Sequence, residues 1–339
     1  MNAASSTSDK PLIVVLDALT TRSRIRFEAL CPGDYRLLIA TERSVAHQIS
    51  LIEKAHHAIT GQVAVPSDML HAAPHLRLIH KWGVGLDNID LETAEALGIA
   101  VARLAGGNAI PVAEYTLGLM ISTLRHIAWA HDALKAGRWL GGALAHDSLM
   151  LHGRTLGIVG CGAVGQQVAR LARAFGCQML YTQRTRLAVS LESELSVHYC
   201  SLDTLLAESD VVSLHCPLTD ATRGLINAQA FQKMKPSAVL INVARGGVVD
   251  EQALVEALST RRILAAASDV FETEPLPEGS PLRQLDNLVL SPHIAAVSAD
   301  NFAPTVLRMF ANIARVDRGE PLPPGDLATK PLTRATQPR

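Results

Sequence analysis

Aromatic side chains are scarce. Three Trp, four Tyr and six Phe make up 4% of the 339 residues. All-β sandwiches and barrels lean on aromatic and β-branched residues. Here a core has to be built from Ala, Val, Leu and Ile within a 48% hydrophobic composition, which favours an α/β enzyme. An excess of one charge is missing as well: 31 Lys plus Arg stand against 32 Asp plus Glu, with no run of either sign. Nothing in that balance suits nucleic acid or a membrane surface, and neither is expected as a partner. There is no run of ~18 apolar residues, which excludes a spanning helix. The five cysteines (Cys31, Cys161, Cys177, Cys200 and Cys216) are odd in number, have unrelated spacings, form no CxxC and pair with no histidine at a zinc-like interval. They read as reduced, buried thiols of a cytoplasmic protein, with no metal site. The opening MNAASSTSDK lacks an apolar core, so it reads as a frayed end and not a signal peptide. No internal repeat is visible.

One stretch organises the rest: LGIVGCGAVGQQVARLARAFG, residues 156–176. The run Thr155–Val159 has the look of a buried strand. Val164, Val168, Leu171, Ala172 and Phe175 then recur at the spacing of a helix face. Between them Gly160, Gly162 and Gly165 stand in the order GxGxxG, at a strand-to-helix turn. There the first glycine permits the tight turn, the second lets the backbone approach a pyrophosphate, and the third lets helix and strand pack closely. The helix N-terminus adds free amides and a partial positive charge. Dinucleotide binding is the reading, with Ala163 and Val164 inside the same loop.

A chain of this length predicts two domains, because single cores rarely grow beyond ~250–300 residues. Short strand-like runs (PLIVVLDA, YRLLIA, HAITG, LRLIHKWG, IAVARLAG) alternate up to residue 107 with helical segments such as residues 44–54 and 91–97, which predicts a small parallel-sheet domain. GVGLDNID, residues 83–90, reads either as a turn capping the next helix or as a ligand loop of exposed amides. From Asn108 one long helical segment is expected, with Val112, Leu119, Ile127 and Leu134 on a broad apolar face that is buried or turned to another subunit. After the glycine-rich unit come YTQRTR, DVVSLHCPLTDATRGLI, SAVLINVARGGVVD, ILAAASDVFETEPL and NLVLSPHIAA, each a strand with a polar or glycine-containing end. Such ends gather at the C-terminal edge of a parallel sheet, where open α/β sheets bind ligands. NFAPTVLRMFANIARVDRG would pack back on the first domain, and the proline-rich tail from Pro321 is expected to be mobile. The expected domains are therefore 1–107 with 299–339, and 108–298.

The motifs GVGLDNID, NAIPVAEYTLGLM, GIVGCGAVG, HCPLT, INVARGGVVDEQAL, AAASDVFETEP and SPHIAA, in this order over about residues 75–320, resemble the D-isomer-specific 2-hydroxyacid dehydrogenase family. The resemblance implies two doubly wound parallel-sheet α/β domains, a flavodoxin-like catalytic domain and a Rossmann dinucleotide-binding domain, with a cleft between them. It also implies a homodimer formed through the helix after Asn108. It makes Arg245, Glu274 and His293 the catalytic set. These residue types suit the chemistry: a guanidinium fork binds a keto-acid carboxylate bidentately, and a histidine held by a carboxylate donates a proton near neutral pH. The resemblance further puts Val84 and Gly85 amides on the substrate carboxylate, Asn108 near the cleft, and Lys81 either at a distal substrate group or in solvent. On the cofactor side it implies Cys216 and Pro217 beside the adenosine and ribose, with Thr222 a further cofactor-binding residue. Val243, Ala244, Arg245, His293 and Ala295 would also bind the cofactor, with Asp269 facing the nicotinamide carboxamide. The remaining histidines, His56 and His57 among them, read as structural or exposed.

The second strand departs from the pattern usual for NAD. Rossmann domains that prefer NAD place an acid about 20 residues after the glycines, on the ribose 2′-hydroxyl. Gln183 holds that place here, followed by Arg184 and Thr185, whose groups can bind a 2′-phosphate. NADP(H) is the expected cofactor, with NAD(H) possible if Arg184 and Arg186 are only solvated loop charges. The function implied is reduction of a small 2-keto acid of the glyoxylate or hydroxypyruvate type. The alternatives are a D-3-phosphoglycerate dehydrogenase-like enzyme and a dinucleotide-sensing corepressor-like protein. Formate dehydrogenases resemble this pattern with glutamine where Glu274 stands.

Overall fold

Strands of three to five residues, most of them buried, alternate with helices, several of which have a first turn capped by a side chain. A computed structural model of the protein describes residues 10–329. It separates the chain into one unit of Met1–Asn108 with Ser298–Arg339 and a second of Ala109–Val297. Asn108 thus falls with the first unit.

The first unit runs β1 (Leu12–Val15), α1 (Thr21–Glu28), β2 (Arg36–Ile39), α2 (Val45–Ile52), β3 (His57–Thr60), α3 (Ser67–His71), β4 (Leu78–Lys81), α4 (Leu91–Ala96) and β5 (Ala100–Ala102). The strands form a parallel sheet in the order β2-β1-β3-β4-β5, the flavodoxin-like arrangement. Burial on both faces explains why the strands read as continuous apolar runs. Thr20, Ser44 and Asp90 accept the amides of Ser23, His47 and Thr93 and so start α1, α2 and α4.

The second unit runs α5 (Ala109–Leu124), α6 (Ile127–Lys135), β6 (Thr155–Val159), α7 (Ala163–Ala174), β7 (Gln178–Thr182), α8 (Val189–Leu195), β8 (Val197–Tyr199), α9 (Leu202–Glu208), β9 (Val211–Leu214), α10 (Ala228–Lys233), β10 (Val239–Asn242), α11 (Glu251–Ser259), β11 (Ala265–Ser268) and β12 (Leu288–Leu290). Its seven strands are ordered β12-β11-β10-β9-β6-β7-β8. All are parallel. From β6 the chain winds outward through β7 and β8, then returns to β9 on the other side of β6. The switch point between β6 and β9 is where doubly wound sheets open a ligand crevice at the strand C-termini. The chain then re-enters the first unit as α12 (Phe302–Asp317), whose Val306, Met309, Phe310 and Ile313 pack with Ile13, Val15 and Phe27.

Four expectations need correction. The long helix after Asn108 is two helices, because His126 takes a left-handed conformation (φ 54°) that ends the α5 hydrogen-bond ladder. Val112 and Leu119 are buried, but Ile127 and Leu134, beyond the break, are exposed. On α7, Val168 and Ala172 are buried, whereas Leu171 and Phe175 reach solvent. The described part of the tail from Pro321 is not loose: Ala102 and Leu327 form a bridge, the Ala328 amide bonds the Val101 carbonyl, and Asp326 is wholly buried. The rest of that tail, and the opening nine residues read as frayed, lie outside the described residues. Of the five free thiols only Cys161 is buried and the other four are half-buried. Burial still pushes the Cys161 and Cys216 thiols up to about 11, so neither is a ready nucleophile.

Candidate active site

At the end of β6 the three glycines have three different reasons to be glycine. Gly160 has φ +93°, and a Cβ there would lie 2.7 Å from the Cys216 amide nitrogen. A Cβ on Gly165 would lie 2.4 Å from the Gly160 carbonyl oxygen, so α7 can only approach β6 this closely without one. Gly162 is different. It caps α7 with φ −76° and no side-chain hydrogen bond, and a Cβ there would meet nothing within 4 Å. Neither backbone strain nor protein packing accounts for its missing side chain. An open cradle at a helix N-terminus, with the first-turn amides uncapped, fits the pyrophosphate of a dinucleotide.

The end of β7 is tied to this loop. Gln183 Oε1 accepts the Cys161 amide at 3.0 Å, and its Nε2 donates to the Thr185 carbonyl at 2.6 Å. Arg184 is exposed and bonded to no other described residue. Arg186 is no loose solvent charge: its Nε and Nη2 each donate to Glu192 at 2.8 Å. At the end of β9, Thr222 Oγ1 donates to the Pro217 carbonyl at 2.6 Å and accepts the Thr219 amide at 2.8 Å, which closes the turn after Cys216.

The three residues expected to be catalytic follow three adjacent strands, β10, β11 and β12, and so sit along one edge of one sheet. Arg245 begins the turn after β10. Asn242 fixes that turn by accepting the Ala244 amide and donating to the Arg245 carbonyl, both at 3.1 Å, while Arg245 Nη1 donates to the Ala244 carbonyl at 2.7 Å. Val243 and Ala244 are buried beneath it. A Cβ on Gly246 would lie 1.9 Å from the carbonyl carbon of Phe271, so the turn after β10 presses directly on the backbone leading to Glu274. Glu274 Oε1 accepts the Phe271 amide at 2.9 Å, and Oε2 lies 2.6 Å from His293 Nδ1. Burial alone would raise the Glu274 carboxyl. The hydrogen bonds from His293 and Phe271, with the charges of His293 and Arg245, outweigh burial and hold it below the usual range.

His293 has φ 54°, a left-handed conformation that costs a non-glycine residue about 1 kcal/mol or more. Asp269 enforces it. Its Oδ1 accepts the Ser291 hydroxyl at 2.5 Å and the Ile294 amide at 2.9 Å, and its Oδ2 accepts the Ala295 amide at 2.8 Å. The Asp269 carbonyl accepts the His293 amide at 2.8 Å. The residue expected to face the carboxamide is thus a buried clamp on the histidine turn. Sequence reading missed Asn242, Gly246 and Ser291 as supports; the motif strings contain them, but nothing in spacing separates a brace from a linker.

In the first unit Lys81 ends β4 and is 7% exposed. It is neither solvated nor loose: its Nζ donates to Asn88 Oδ1 at 2.6 Å and to the Gly61 carbonyl. Asn88 in turn donates to the Val63 carbonyl at 2.7 Å. These bonds brace the 83–90 turn from within. Val84 and Gly85 lie half-exposed on that turn, and Asp90 closes it as the cap of α4. Asn108 Oδ1 is buried with no hydrogen-bond partner among the described residues. Of the two readings of GVGLDNID, the helix-capping turn is therefore present, and the braced amides remain available to a ligand. His57 and His56 are structural: His57 Nε2 lies 3.1 Å from Asp317, and His56 accepts the Leu12 amide. Among the described residues no cluster of three or more His, Cys, Asp or Glu is placed to hold a metal. No described helix is long and apolar enough to cross a membrane.

Residues 117–295 match the family model for the D-isomer specific 2-hydroxyacid dehydrogenase, NAD binding domain. A hydroxypyruvate reductase of Thermotoga maritima is 43% identical over 238 residues, 70% of this chain and 76% of that protein. A glyoxylate reductase of Aeropyrum pernix is 38% identical over 279 residues, 81% of this chain and 82% of that one. Among solved structures, a protein of Thermus thermophilus superposes with a TM-score of 0.82 at 32% identity, over 94% of this chain and all of the other.

Proposed function

The chain belongs to the D-isomer-specific 2-hydroxyacid dehydrogenase family, and from that premise we propose that it reduces a small 2-keto acid of the glyoxylate or hydroxypyruvate type, with NADPH preferred as hydride donor. The observation that carries the reading is the 2.6 Å pair of His293 and Glu274, set on the same sheet edge as Arg245 and the open glycine cradle.

Gly160, Gly162, Ala163, Val164 and Gly165 would hold the pyrophosphate, and Arg184 with Thr185 the 2′-phosphate of the adenosine ribose. The nicotinamide, when bound, supplies the hydride. Arg245 orients the keto acid by a bidentate grip on its carboxylate, and the Val84 and Gly85 amides are a second carboxylate-binding element of the same reading. With Nδ1 engaged by Glu274, His293 offers Nε2 to the carbonyl oxygen. A protonated ring delivers that proton as the oxygen gains charge, and the Glu274 carboxylate keeps the ring oriented through Nδ1. In the reverse direction the same nitrogen takes the proton from a 2-hydroxyl group.

The preference for NADPH rests on Gln183, whose uncharged amide does not repel a phosphate, and on Arg184, the cation of this turn that no described carboxylate occupies. A cytoplasmic homodimer completes the reading; Ile110, Ile127, Leu134, Trp139 and Met150, all exposed in the segment that includes α5 and α6, support the dimer. A panel of glyoxylate, hydroxypyruvate, pyruvate, 2-ketobutyrate and 3-phosphohydroxypyruvate, followed by NADPH absorbance, tests the substrate class. Turnover is expected with the first two. Turnover confined to the phosphorylated acid would favour the phosphoglycerate-type alternative, and none at all would favour a dinucleotide-sensing role.

A further inference from the structure

The turn after β7 carries two arginines that could meet a 2′-phosphate, and the structure treats them differently. Arg186 is held bidentately by Glu192, from the first turn of α8, with both contacts at 2.8 Å. Its guanidinium also lies 5.5 Å from the centre of the Tyr199 ring. Glu192 is itself buried, and its Oε1 takes a second donor, the Tyr181 hydroxyl, at 2.5 Å. That hydroxyl accepts the Leu187 amide at 2.9 Å, and Tyr181 is fully buried under the sheet end. The turn is thus fastened at its far end by Tyr181 and Glu192, and at its near end by Gln183, which bridges the Cys161 amide and the Thr185 carbonyl. Arg184, between the two fastenings, is exposed and held by nothing among the described residues.

We propose that Glu192 is a specificity-determining positioning residue: by holding Arg186 and, through Tyr181, the Leu187 amide, it fixes the 183–187 turn so that Arg184 is the single cation presented to a 2′-phosphate. The inference rests on the NADPH-preferring reading and adds to it a residue that touches no cofactor. The lock is a strong one. The Arg186 and Tyr181 hydrogen bonds pull the Glu192 carboxyl down to about 2, so it stays charged over the whole working range. Burial, together with Glu192, pushes the Tyr181 hydroxyl up to about 12, so it remains a donor. A turn ordered before binding spares the ligand the entropy of ordering it, and a loosened turn returns that cost as weaker affinity.

Calorimetric titration with 2′,5′-ADP and with 5′-AMP, which differ only by the 2′-phosphate, separates the possibilities without any turnover. The wild-type protein should bind 2′,5′-ADP the more tightly. Glu192→Gln and Arg186→Ala should both weaken 2′,5′-ADP by about fivefold, the loss expected for one unfixed turn, and leave 5′-AMP within about twofold. Tyr181→Phe, which keeps the buried ring, should act in the same direction. Because Tyr181→Phe loosens the turn and leaves the Arg186 charge in place, it keeps the test decisive if Glu192→Gln folds poorly. Tighter 2′,5′-ADP binding in Glu192→Gln with weaker binding in Arg186→Ala would make Arg186 a phosphate ligand and overturn the lock. Unchanged binding in all three variants, with loss only in Arg184→Ala, would also overturn it and leave the NADPH reading standing. A wild-type protein that binds the two nucleotides equally would overturn that reading and this inference with it.

Discussion

His293 stands in a left-handed conformation because Asp269 accepts four hydrogen bonds from residues 291–295, and Glu274 then fixes the ring through Nδ1. The proposed proton donor is therefore held by two acids with separate duties, one on the backbone and one on the ring. Glu274→Gln removes the charge and keeps the shape. The hydrogen bond to Nδ1 loses its charge assistance and holds the ring less firmly, so kcat for keto-acid reduction should fall. Steady-state kinetics decide this, and an unchanged kcat would remove Glu274 from the proposed proton-donating pair. His293→Ala should lose about 10²–10⁴-fold in kcat, more than any other histidine substitution. At Arg245 the fork matters more than the charge. Arg245→Lys should lower kcat and raise KM for the keto acid together; equal kinetics would mean that the carboxylate is held elsewhere.

The strand-turn-helix of β6 and α7 shows most clearly what a glycine is for. Gly165→Ala forces a Cβ to within 2.4 Å of the Gly160 carbonyl, and overpacking of this kind costs about 1–3 kcal/mol. Gly162→Ala adds a methyl group to open space. The first variant should melt several degrees lower; the second should melt like the wild type yet bind dinucleotide more weakly, because the methyl fills the cradle. Thermal unfolding with and without nucleotide distinguishes the two, and a Gly162→Ala protein with normal affinity would move the pyrophosphate away from this turn. Elements of this sort were legible in the sequence because their signals are local: four-residue apolar runs, cap residues, glycines at fixed offsets. The break at His126 was not legible, since PVAEYTLGLMISTLRHIAWAHDALKAGRW keeps a helical period through it and no glycine or proline marks the bend. Nor was β8, with three residues of which only Val197 is buried. The Arg186 and Glu192 pair was invisible for another reason: two opposite charges six residues apart carry no local signal, and only the fold of α8 against β7 shows the acid buried under a tyrosine hydroxyl.

The whole molecule is made of two units, and the first is assembled from both ends of the chain, which couples its stability to side chains far apart in sequence. His80 in β4 is buried, donates from Nδ1 to the Lys81 carbonyl at 2.9 Å, and accepts at Nε2 from Asn312 in α12 at 3.0 Å. Asn312 also donates to Asp326, whose carboxylate takes Arg308 and the Ala105 amide. Burial pushes the His80 imidazole down to about 4, so it folds neutral. In the unfolded chain a histidine binds its proton near pH ~6.5. Between about 6.5 and 4 the unfolded state holds the extra proton, so stability declines on acidification through that window, by up to ~1.4 kcal/mol per pH unit, and this contribution is complete below it. Urea unfolding at pH 7.5 and 5.0 should show the drop, and His80→Gln should lessen it, the buried His215 keeping a share; an undiminished drop in the variant would assign the acid sensitivity to other groups. At the same scale, the proposed catalyst joins a keto-acid site to a dinucleotide site selective for the 2′-phosphate. The most direct measurement is kcat/KM for NADPH and for NADH at one saturating concentration of hydroxypyruvate, in the wild type and in Arg184→Ala. NADPH should be favoured by at least about tenfold, or ~1.4 kcal/mol, and the preference should collapse in the variant. Equal or better use of NADH by the wild-type protein would contradict it.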